Sequence, residues 1–499
     1  MTGRPSSCLA KVNEIVTVEI ITVFFAFSLP LTQFGTQQLV YSKLCEQTFS
    51  SNQTTVQRCI QKNTASQLAE FQQVEADTSQ WSIYMNIALI VPSLFTTIFI
   101  GAYVDKYGFY LPLRLCLAGA LAGFIFLSVI ASTNLSHAYI LVAMAVISLF
   151  GHGATIFTTT VAYVACDSET DSTRKSIRVG IVIACVVLAV SVSVTLLGLI
   201  IDHLGIQWVF YLGSTSLFLG LLDSIFRLRP PNRHKPTGNH HPSSDTHTGL
   251  AKIREVCSFS LVSNYGLVLF SKRQDSKRLH LHLMTAVFVL SFCAFTGVLD
   301  VEFLYLTKEN GFTNTHYGIF MGTSGFLTFI GSTAGMYLTR KKLRLPLPVI
   351  VLIGSISSVV TYAGWSLAKS HELFWFFNTF KLFAALTPVG ARSYISDCVE
   401  LTEQGSIMSF VSVIESVFKL IASFVFNGIY PLTLSSWPGL VLMIAAGLCV
   451  IDLPVLVYLW YNDSKIAKQS ANDVCSESNS SLLLTQNYDS DDNILSPTS

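Results

Sequence analysis

Long apolar stretches alternate with short polar connections along most of the chain. A helix that crosses the hydrocarbon core of a bilayer needs about 20 apolar residues. Stretches of this kind lie at about 16–40, 81–104, 111–133, 138–164, 177–201, 206–227, 282–307, 316–338, 347–368, 373–396, 406–432 and 437–460. The polar segment 228–280 divides these twelve stretches into two sets of six. The pattern predicts an all-α membrane protein with twelve transmembrane helices in two six-helix bundles.

The predicted organisation has five parts. A cytoplasmic N-terminus covers 1–15, the two bundles cover 16–227 and 281–460, a cytoplasmic linker covers 228–280, and a polar tail covers 461–499. The linker is rich in His, Pro and Ser, a composition typical of disorder. Its histidines could bind metal, but a flexible linker is the favoured interpretation and no metal site is predicted. The acidic tail is also predicted to be disordered.

The amino-acid composition excludes several functional classes. Charged residues make up 12% of the chain, against about 25% in soluble domains. The net charge of +1 provides no basic face for nucleic acid. No Gly-rich phosphate loop stands beside a basic residue, which argues against an ATP-driven pump. The predicted partners are therefore the lipid bilayer and a small organic solute. No cofactor is expected, with protons as the coupling ion, and the oligomeric state is left open.

The distribution of Lys and Arg orients the spans. One side of the predicted membrane carries about four times as many of them as the other, which places that side and both termini in the cytoplasm. Two glycosylation sequons, at Asn52 and Asn134, fall on the opposite side. Cys45 and Cys59 lie in the polar segment after the first span, where an oxidising environment favours a disulfide between them.

Ionisable residues inside the spans are the candidates for substrate binding or proton coupling, because a charge at membrane depth is costly unless it faces a polar cavity or a partner. The candidates are Glu19, His152, Asp300, Glu302, Lys381, Arg392, Glu415 and Lys419. Lys381 and Arg392 are eleven residues apart on the tenth span, so they project from one face. Two such cations would attract a carboxylate or sulfate. The alternatives are an internal salt bridge for Lys381 and a gating or anchoring role for Arg392.

Two acidic sites allow more than one interpretation. Glu415 and Lys419 are spaced i,i+4 on the eleventh span, which favours a structural pair. Glu415 remains a candidate coupling carboxylate. Asp300 and Glu302 point to different sides of the seventh span, so one of them is expected at the substrate path and the other at the membrane edge.

His152 lies between Gly151 and Gly153 in the fourth span. Histidine titrates near neutrality and suits a proton relay, and the glycines would let another helix or a solute approach. A packed, hydrogen-bonded histidine is the alternative. Glu19, near the inner end of the first span, is a further candidate for binding or coupling.

The segment after the second span resembles a motif of the major facilitator superfamily. It runs from Gly101 through Asp105 to Gly108. In that family the glycines permit close helix approach and the aspartate gates the cytoplasmic side, so the resemblance implies gating roles for Gly101, Asp105 and Gly108. The basic residues usual after the second glycine are replaced here by Phe109 and Tyr110.

A second series of motifs resembles solute carrier family 46. It comprises the stretch 388–396, Glu403 to Gly405, Glu415, and 426–430. That family includes the proton-coupled folate transporter and a lysosomal member, and this sequence looks more similar to the lysosomal member. The resemblance implies a secondary active, proton-coupled transporter of an organic anion or similar solute, working by alternating access in the lysosomal or plasma membrane. Relatives often carry an acidic residue in the fifth span where this chain has Ile183.

The sequence bears on two other functional classes. The missing fifth-span carboxylate and the incomplete loop motif allow a transporter-like sensor or scaffold without a full transport cycle. A membrane enzyme is disfavoured, because the sequence holds no nucleophile–base set, metal-ligand spacing or cofactor motif.

Overall fold

The computed structural model describes residues 18–50, 53–61, 69–107, 109–167, 172–228, 277–399 and 404–491. Its regular structure is helical throughout these ranges. The long helices are α1 (Val18–Thr48), α2 (Ala69–Tyr107), α3 (Tyr110–Ser132), α4 (Tyr139–Leu149 and Gly153–Asp167), α5 (Ser172–His203), α6 (Ile206–Phe226), α7 (Lys277–Asn310), α8 (Asn314–Ile330, continued by Gly331–Gly335 and Leu338–Lys342), α9 (Leu347–Leu367), α10 (His371–Asn378, Lys381–Ala384 and Leu386–Asp397), α11 (Gln404–Thr433) and α12 (Leu440–Asp491). A short helix, Gln53–Gln61, follows α1.

The helices match the predicted spans in order and position. Eight of them are long and apolar enough to cross a membrane by length and composition. The other four, α2, α4, α8 and α10, occupy the predicted second, fourth, eighth and tenth spans, and the last three are interrupted. The predicted all-α membrane fold is confirmed, and the count of twelve is consistent with the structure.

Each set of six helices forms its own bundle. In the N-terminal bundle, α1 packs on α5 and α6, and α3 packs on α4 and α6. In the C-terminal bundle, α7 packs on α11 and α12, and α9 packs on α10 and α12. The two bundles meet where α5 packs on α8 and where α2 packs on α11. We call the side that carries Cys45, Cys59 and Asn134 the outer side.

Glycines bring α5 and α8 into backbone contact near the outer side. A Cβ atom added at Gly198 would overlap the carbonyl oxygen of Asn314, and one at Gly318 would lie 2.9 Å from the carbonyl oxygen of Val194. At the same end, Asp202 on α5 accepts hydrogen bonds from the backbone N–H of Thr315 and the side-chain amide of Asn314, both at 2.7 Å. The described hydrogen bonds between the bundles lie in this outer half, which closes the outer side.

Two helices in corresponding positions of the two bundles are broken. Helix α4 stops at Leu149 and restarts at Gly153, and Gly151 adopts φ +95°, a left-handed conformation that glycine tolerates. Helix α10 is interrupted after Asn378 and restarts at Lys381. Each break lies within about three turns of the helix start on the outer side.

The last helix differs from the predicted disordered tail at 461–499. Helix α12 continues from Leu440 to Asp491. A helix already formed extends more easily than a new one begins, and the chain has no proline between Pro454 and Pro497. The predicted linker is outside the described residues except for its ends, 228 and 277–280, where α7 begins four residues earlier than the predicted bundle.

Candidate functional site

An acidic side chain at the interface of the two bundles is bonded to amides from both. Asp300 lies on α7 and is 4% exposed. Its Oδ1 accepts a hydrogen bond from Gln33 Nε2 of α1 at 3.1 Å. Its Oδ2 accepts from Asn86 Nδ2 of α2 at 2.9 Å and from Asn427 Nδ2 of α11 at 3.1 Å. An ionised carboxylate only accepts hydrogen bonds, so these three donors suit the charged form. We call Asp300 and these three amides the Asp300 cluster.

Neighbouring polar groups extend the Asp300 cluster toward the outer side. Gln37 Nε2 donates to the backbone oxygen of Asp300 at 2.9 Å and to Ser82 Oγ at 3.3 Å. Ser79 Oγ donates to the backbone oxygen of Asn427 at 3.0 Å. The bonds to the backbone oxygens of Asp300 and Asn427 also cross from the N-terminal to the C-terminal bundle, so the cluster is a polar seal between the two.

A cavity lies against the Asp300 cluster. Its accessible volume is about 30 Å³, and α1, α2, α4 and Asp300 surround it. Small-molecule sites have volumes of about 300–1,000 Å³, so in this outer-closed structure the cavity has room for one or two water molecules, and it must widen to admit an organic solute. Besides members of the cluster, its lining includes the polar Thr32, Thr36 and Ser82 and the apolar Met85, Leu89 and Met144.

The i,i+4 pair predicted between Glu415 and Lys419 is wrong. Glu415 instead accepts a hydrogen bond from Arg392 Nη2 of α10. Lys419 is a charged neighbour of Asp300 within the C-terminal bundle, where α11 packs on α7. The partner of Glu415 is set by tertiary structure, because Arg392 reaches it from the neighbouring helix, whereas Lys419 lies one turn nearer the outer side.

Lys381 lies among aromatic rings inside the C-terminal bundle. Its Nζ is 4.7 Å from the ring centroid of Trp365, 5.7 Å from that of Tyr362 and 5.9 Å from that of Phe295. Glu302 of α7 is a charged neighbour of Lys381 in the same bundle. Glu302 is 1% exposed, and neither of its carboxylate oxygens has a hydrogen-bond partner among the described residues. Glu302 therefore lies inside the bundle, and its predicted alternative position at the membrane edge is wrong.

Two other candidates occupy the N-terminal bundle. His152 is in the break of α4, and its ring centroid is 6.0 Å from that of Phe25. Its backbone oxygen accepts a hydrogen bond from the N–H of Thr155, in the first turn of the second part of α4. Glu19 is 3% exposed in the first turn of α1. Neither residue belongs to the Asp300 cluster.

The remaining predicted positions are peripheral. Cys45 and Cys59 form a disulfide, with their Cα atoms 5.9 Å apart. Asn134 is exposed in the connection between α3 and α4. Asn52 and Gly108 lie outside the described residues, as do the side chain of Asp105 and the surroundings of Gly101.

Sequence reasoning missed the amides that hold Asp300. Gln33, Asn86 and Asn427 carry no charge, so they do not stand out as ionisable candidates, and Asn427 appears only within the family motif 426–430. A signal was present, because uncharged polar side chains within apolar stretches also need partners in lipid. Their convergence on one carboxylate could not be predicted from three separate helices.

Two six-helix bundles that meet at a polar interface are the architecture of a helical membrane transporter. The family model of the Major Facilitator Superfamily matches residues 60–380. The chain belongs to this superfamily.

Relatives among known proteins narrow the comparison. The lysosomal proton-coupled steroid conjugate and bile acid symporter of Homo sapiens is 25% identical over 449 residues, covering 88% of this chain and 93% of that protein. The proton-coupled folate transporter of Bos taurus is 23% identical over 381 residues, covering 76% of this chain and 78% of that protein. The predicted resemblance to solute carrier family 46 is confirmed. These relatives are transporters, which also confirms that the chain is not an enzyme.

Solved structures share the fold. The human organic anion transporter MFSD10 (TETRAN) superposes with a TM-score of 0.60 at 15% identity, covering 91% of this chain and all of that one. A POT family transporter in complex with 5-aminolevulinic acid gives a TM-score of 0.62 at 13% identity, covering 92% of this chain and 98% of that one. At these identities the likeness is one of fold alone.

Proposed function

We propose that the protein is a proton-coupled symporter of organic anions, with Asp300 as the coupling carboxylate. The observation that carries this proposal is the Asp300 cluster, a buried carboxylate bonded to amides of both bundles beside a cavity. Its charge state decides two things at once: how firmly the outer side is closed, and whether an anion can occupy the cavity.

Protonation of Asp300 would weaken the outer seal. A protonated carboxyl group carries a hydrogen on one oxygen. That hydrogen points at an amide N–H, so the two donors face each other and one hydrogen bond of the seal is lost. Hydrogen bonds to a charged group contribute about 1.5–3 kcal/mol each, more than those to a neutral one. A proton arriving from the outer side therefore favours separation of the bundles there, and its release restores the closed seal.

The same proton admits an anionic solute. An ionised Asp300 in the cavity wall repels an anion, whereas a neutral one does not. With Asp300 neutral, the positive charge of Lys419 has lost its carboxylate neighbour and can attract the anion instead. Proton and anion would then occupy the site together, and the bundles would turn about it to release both on the cytoplasmic side.

The substrate class is an anion with an apolar body. Arg392 lies with its Cζ 5.5 Å from the ring centroid of Phe288, and Phe288 stacks on Phe292 with centroids 6.0 Å apart. Once it separates from Glu415, a guanidinium beside stacked rings suits a carboxylate or sulfate attached to a hydrophobic skeleton. The steroid conjugates and bile acids named for the human relative have this chemistry.

The proposed location is an acidic compartment membrane, with the lysosome favoured over the plasma membrane because the relatives aligned over 88% of the chain include lysosomal proteins. Both termini would face the cytoplasm, as the Lys and Arg distribution indicates. The outer side would then face the lumen, where the disulfide between Cys45 and Cys59 is stable.

Uptake into proteoliposomes tests the proposal. Radiolabelled estrone 3-sulfate, taurocholate and folic acid would each be offered at external pH 5.5 with internal pH 7.5, and at pH 7.5 on both sides. We expect faster uptake of at least one anion with the gradient, and loss of that gain when a protonophore is added. Equal rates under both conditions would reject proton coupling, and saturable binding of these anions without uptake would favour the sensor or scaffold alternative.

A further inference from the structure

A second pair of ionisable groups lies inside the C-terminal bundle, apart from the Asp300 cluster. Glu302 is two residues beyond Asp300 on α7 and therefore projects about 200° away from it around the helix. It is buried in the interior of the bundle. Tyr305, one turn further along α7, donates a hydrogen bond to the backbone oxygen of Trp365 of α9 at 3.1 Å, and the ring of Trp365 lies 4.7 Å from Lys381 Nζ of α10. Glu302 and Lys381 therefore share one region of the bundle, together with Tyr317 of α8 and Tyr362 of α9.

The polar atoms of this pair are poorly satisfied. Both carboxylate oxygens of Glu302 and the hydroxyl of Tyr317 are buried without hydrogen-bond partners in the described part of the chain. Lys381 is only 8% exposed and has rings around its Nζ, and no carboxylate among the described residues lies within the 4.0 Å of an ion pair with it. A buried carboxylate without donors costs several kcal/mol, so the charge of Lys381 or a bound proton must compensate that of Glu302.

Lys381 also marks the break in α10. It is the first residue of the helical turn Lys381–Ala384 that follows the interruption. The backbone oxygen of Phe380, at the break itself, accepts a hydrogen bond from Ser357 Oγ of α9 at 2.8 Å. A Cβ atom added at Gly331 of α8 would overlap the backbone oxygen of Leu382. Neighbouring helices are therefore fitted to α10 at its interruption, and the break is a built feature of the bundle.

We propose that Glu302 and Lys381 form a second proton-binding pair whose protonation state sets the bend of α10, separately from Asp300. With one proton fewer, the carboxylate and the ammonium attract each other and draw the start of the Lys381–Ala384 turn toward α7. With one proton more, Glu302 is neutral, that attraction is lost, and the ammonium is held by the rings alone. The proposal rests on the proposed transport cycle, because α10 carries Arg392 beyond the break and its bend would move that side chain.

The titratable groups around the pair are Tyr317, Tyr362 and, on α12, Cys449. Asp452 lies one turn beyond Cys449, is fully buried, and accepts a hydrogen bond from Ser291 Oγ of α7 at 2.6 Å. Tyrosine and cysteine remain neutral at pH 5–8 in the absence of a nearby activating charge. A change in the bend over that range would therefore come from the pair or from Asp452, and an Asp452→Asn variant that retains the shift would assign it to the pair.

The distance across the break tests the proposal without any substrate. Spin labels carried by noncanonical amino acids at Glu372 and Asp397, both exposed, would flank the break in protein held in nanodiscs. These positions are 25 residues apart, about 37 Å along a straight helix. Pulsed electron resonance would record the distance distribution at pH 5.5 and pH 7.5. We expect a shift between the two conditions in the unmodified pair, and loss of that shift in Glu302→Gln and in Lys381→Met.

A matched variant and a stability measurement separate this pair from the proposed coupling site. Asp300→Asn should abolish proton-driven uptake yet retain the pH-dependent shift across α10. The double variant Glu302→Gln/Lys381→Met should have a thermal midpoint nearer that of the parent protein than either single variant has, because it leaves no unpaired buried charge. An unshifted distribution in the parent, or a full shift in Glu302→Gln, would overturn the proposal. A shift that disappears only in Asp300→Asn would assign the bend to Asp300 instead.

Discussion

Replacing Asp300 by Asn is the sharpest test of the outer seal. The aspartate accepts three side-chain hydrogen bonds, one at Oδ1 from Gln33 and two at Oδ2 from Asn86 and Asn427. An asparagine offers one oxygen acceptor and places an NH₂ group at the other position. Whichever way the amide is turned, at least one of the three donors then faces another donor, and the charge that strengthened the other bonds is gone.

The size of the effect follows from these bonds. The loss of one hydrogen bond to a charged acceptor costs about 1.5–3 kcal/mol. Because about 1.4 kcal/mol corresponds to a factor of ten in an equilibrium constant, the outer-closed state should lose roughly ten- to 150-fold in population relative to the outer-open state. The change should mimic permanent protonation, so it should also remove the dependence of this equilibrium on pH.

Accessibility from the outer side measures that equilibrium. A cysteine introduced at Thr36, which lines the cavity next to the cluster, would be titrated with a membrane-impermeant maleimide. In the Asp300→Asn background we expect faster modification, with equal rates at pH 5.5 and pH 7.5. In the parent protein the rate should rise on acidification. If the two proteins were modified at the same rate and with the same pH dependence, Asp300 would not control the outer seal.

Two further predictions concern the outer side. Gly198→Ala should disturb the α5–α8 contact, since the new Cβ overlaps the carbonyl oxygen of Asn314. Overpacking of about 1–3 kcal/mol would favour the outer-open state and raise the maleimide rate. The control Gly428→Ala, with nothing within 4 Å of the added Cβ, should leave the rate unchanged, and an unchanged rate in Gly198→Ala would argue against outer closure at this contact. Joint replacement of Cys45 and Cys59 by Ala removes a cross-link over a sequence separation of 14. This should lower the free energy of unfolding by about 3 kcal/mol, measured as a lower thermal midpoint in detergent. An unchanged midpoint would show that the segment is held by packing alone.

The fold was predictable because the bilayer imposes a length and a polarity on each helix. Stretches of about 20 apolar residues can be read directly from the sequence, and the helices of the structure follow them. The breaks could not be read in the same way. Gly151 hints at the interruption of α4, but nothing in the run from Phe377 to Leu382 marks the interruption of α10, which depends on Ser357 of α9 and on the close approach of Gly331 of α8.

The site was predictable only in part, for a related reason. Charged residues stand out in apolar stretches, and this singled out Asp300, Lys381 and Arg392. Pairing between them is decided by which helix faces which, so the i,i+4 spacing of Glu415 and Lys419 gave the wrong partner. Local spacing describes neighbours on one helix, whereas the choice between such a neighbour and a residue of another helix is made by the tertiary structure.

The breaks in α4 and α10 place a basic residue at an electrostatically unfavourable position in each bundle. His152 directly precedes the helix Gly153–Asp167, and Lys381 begins the turn that leads into Leu386–Asp397. The start of a helix carries a partial positive charge and disfavours a cation, so a protein that only needed a continuous span would gain stability from an uninterrupted apolar helix at both positions. Departures from local preference of this kind are expected where function requires them. Since α4 and α10 occupy corresponding positions in two similar bundles, the same departure in each marks the two breaks as paired features of the fold, and the break in α10 is the one whose response to Glu302 the distance measurement tests.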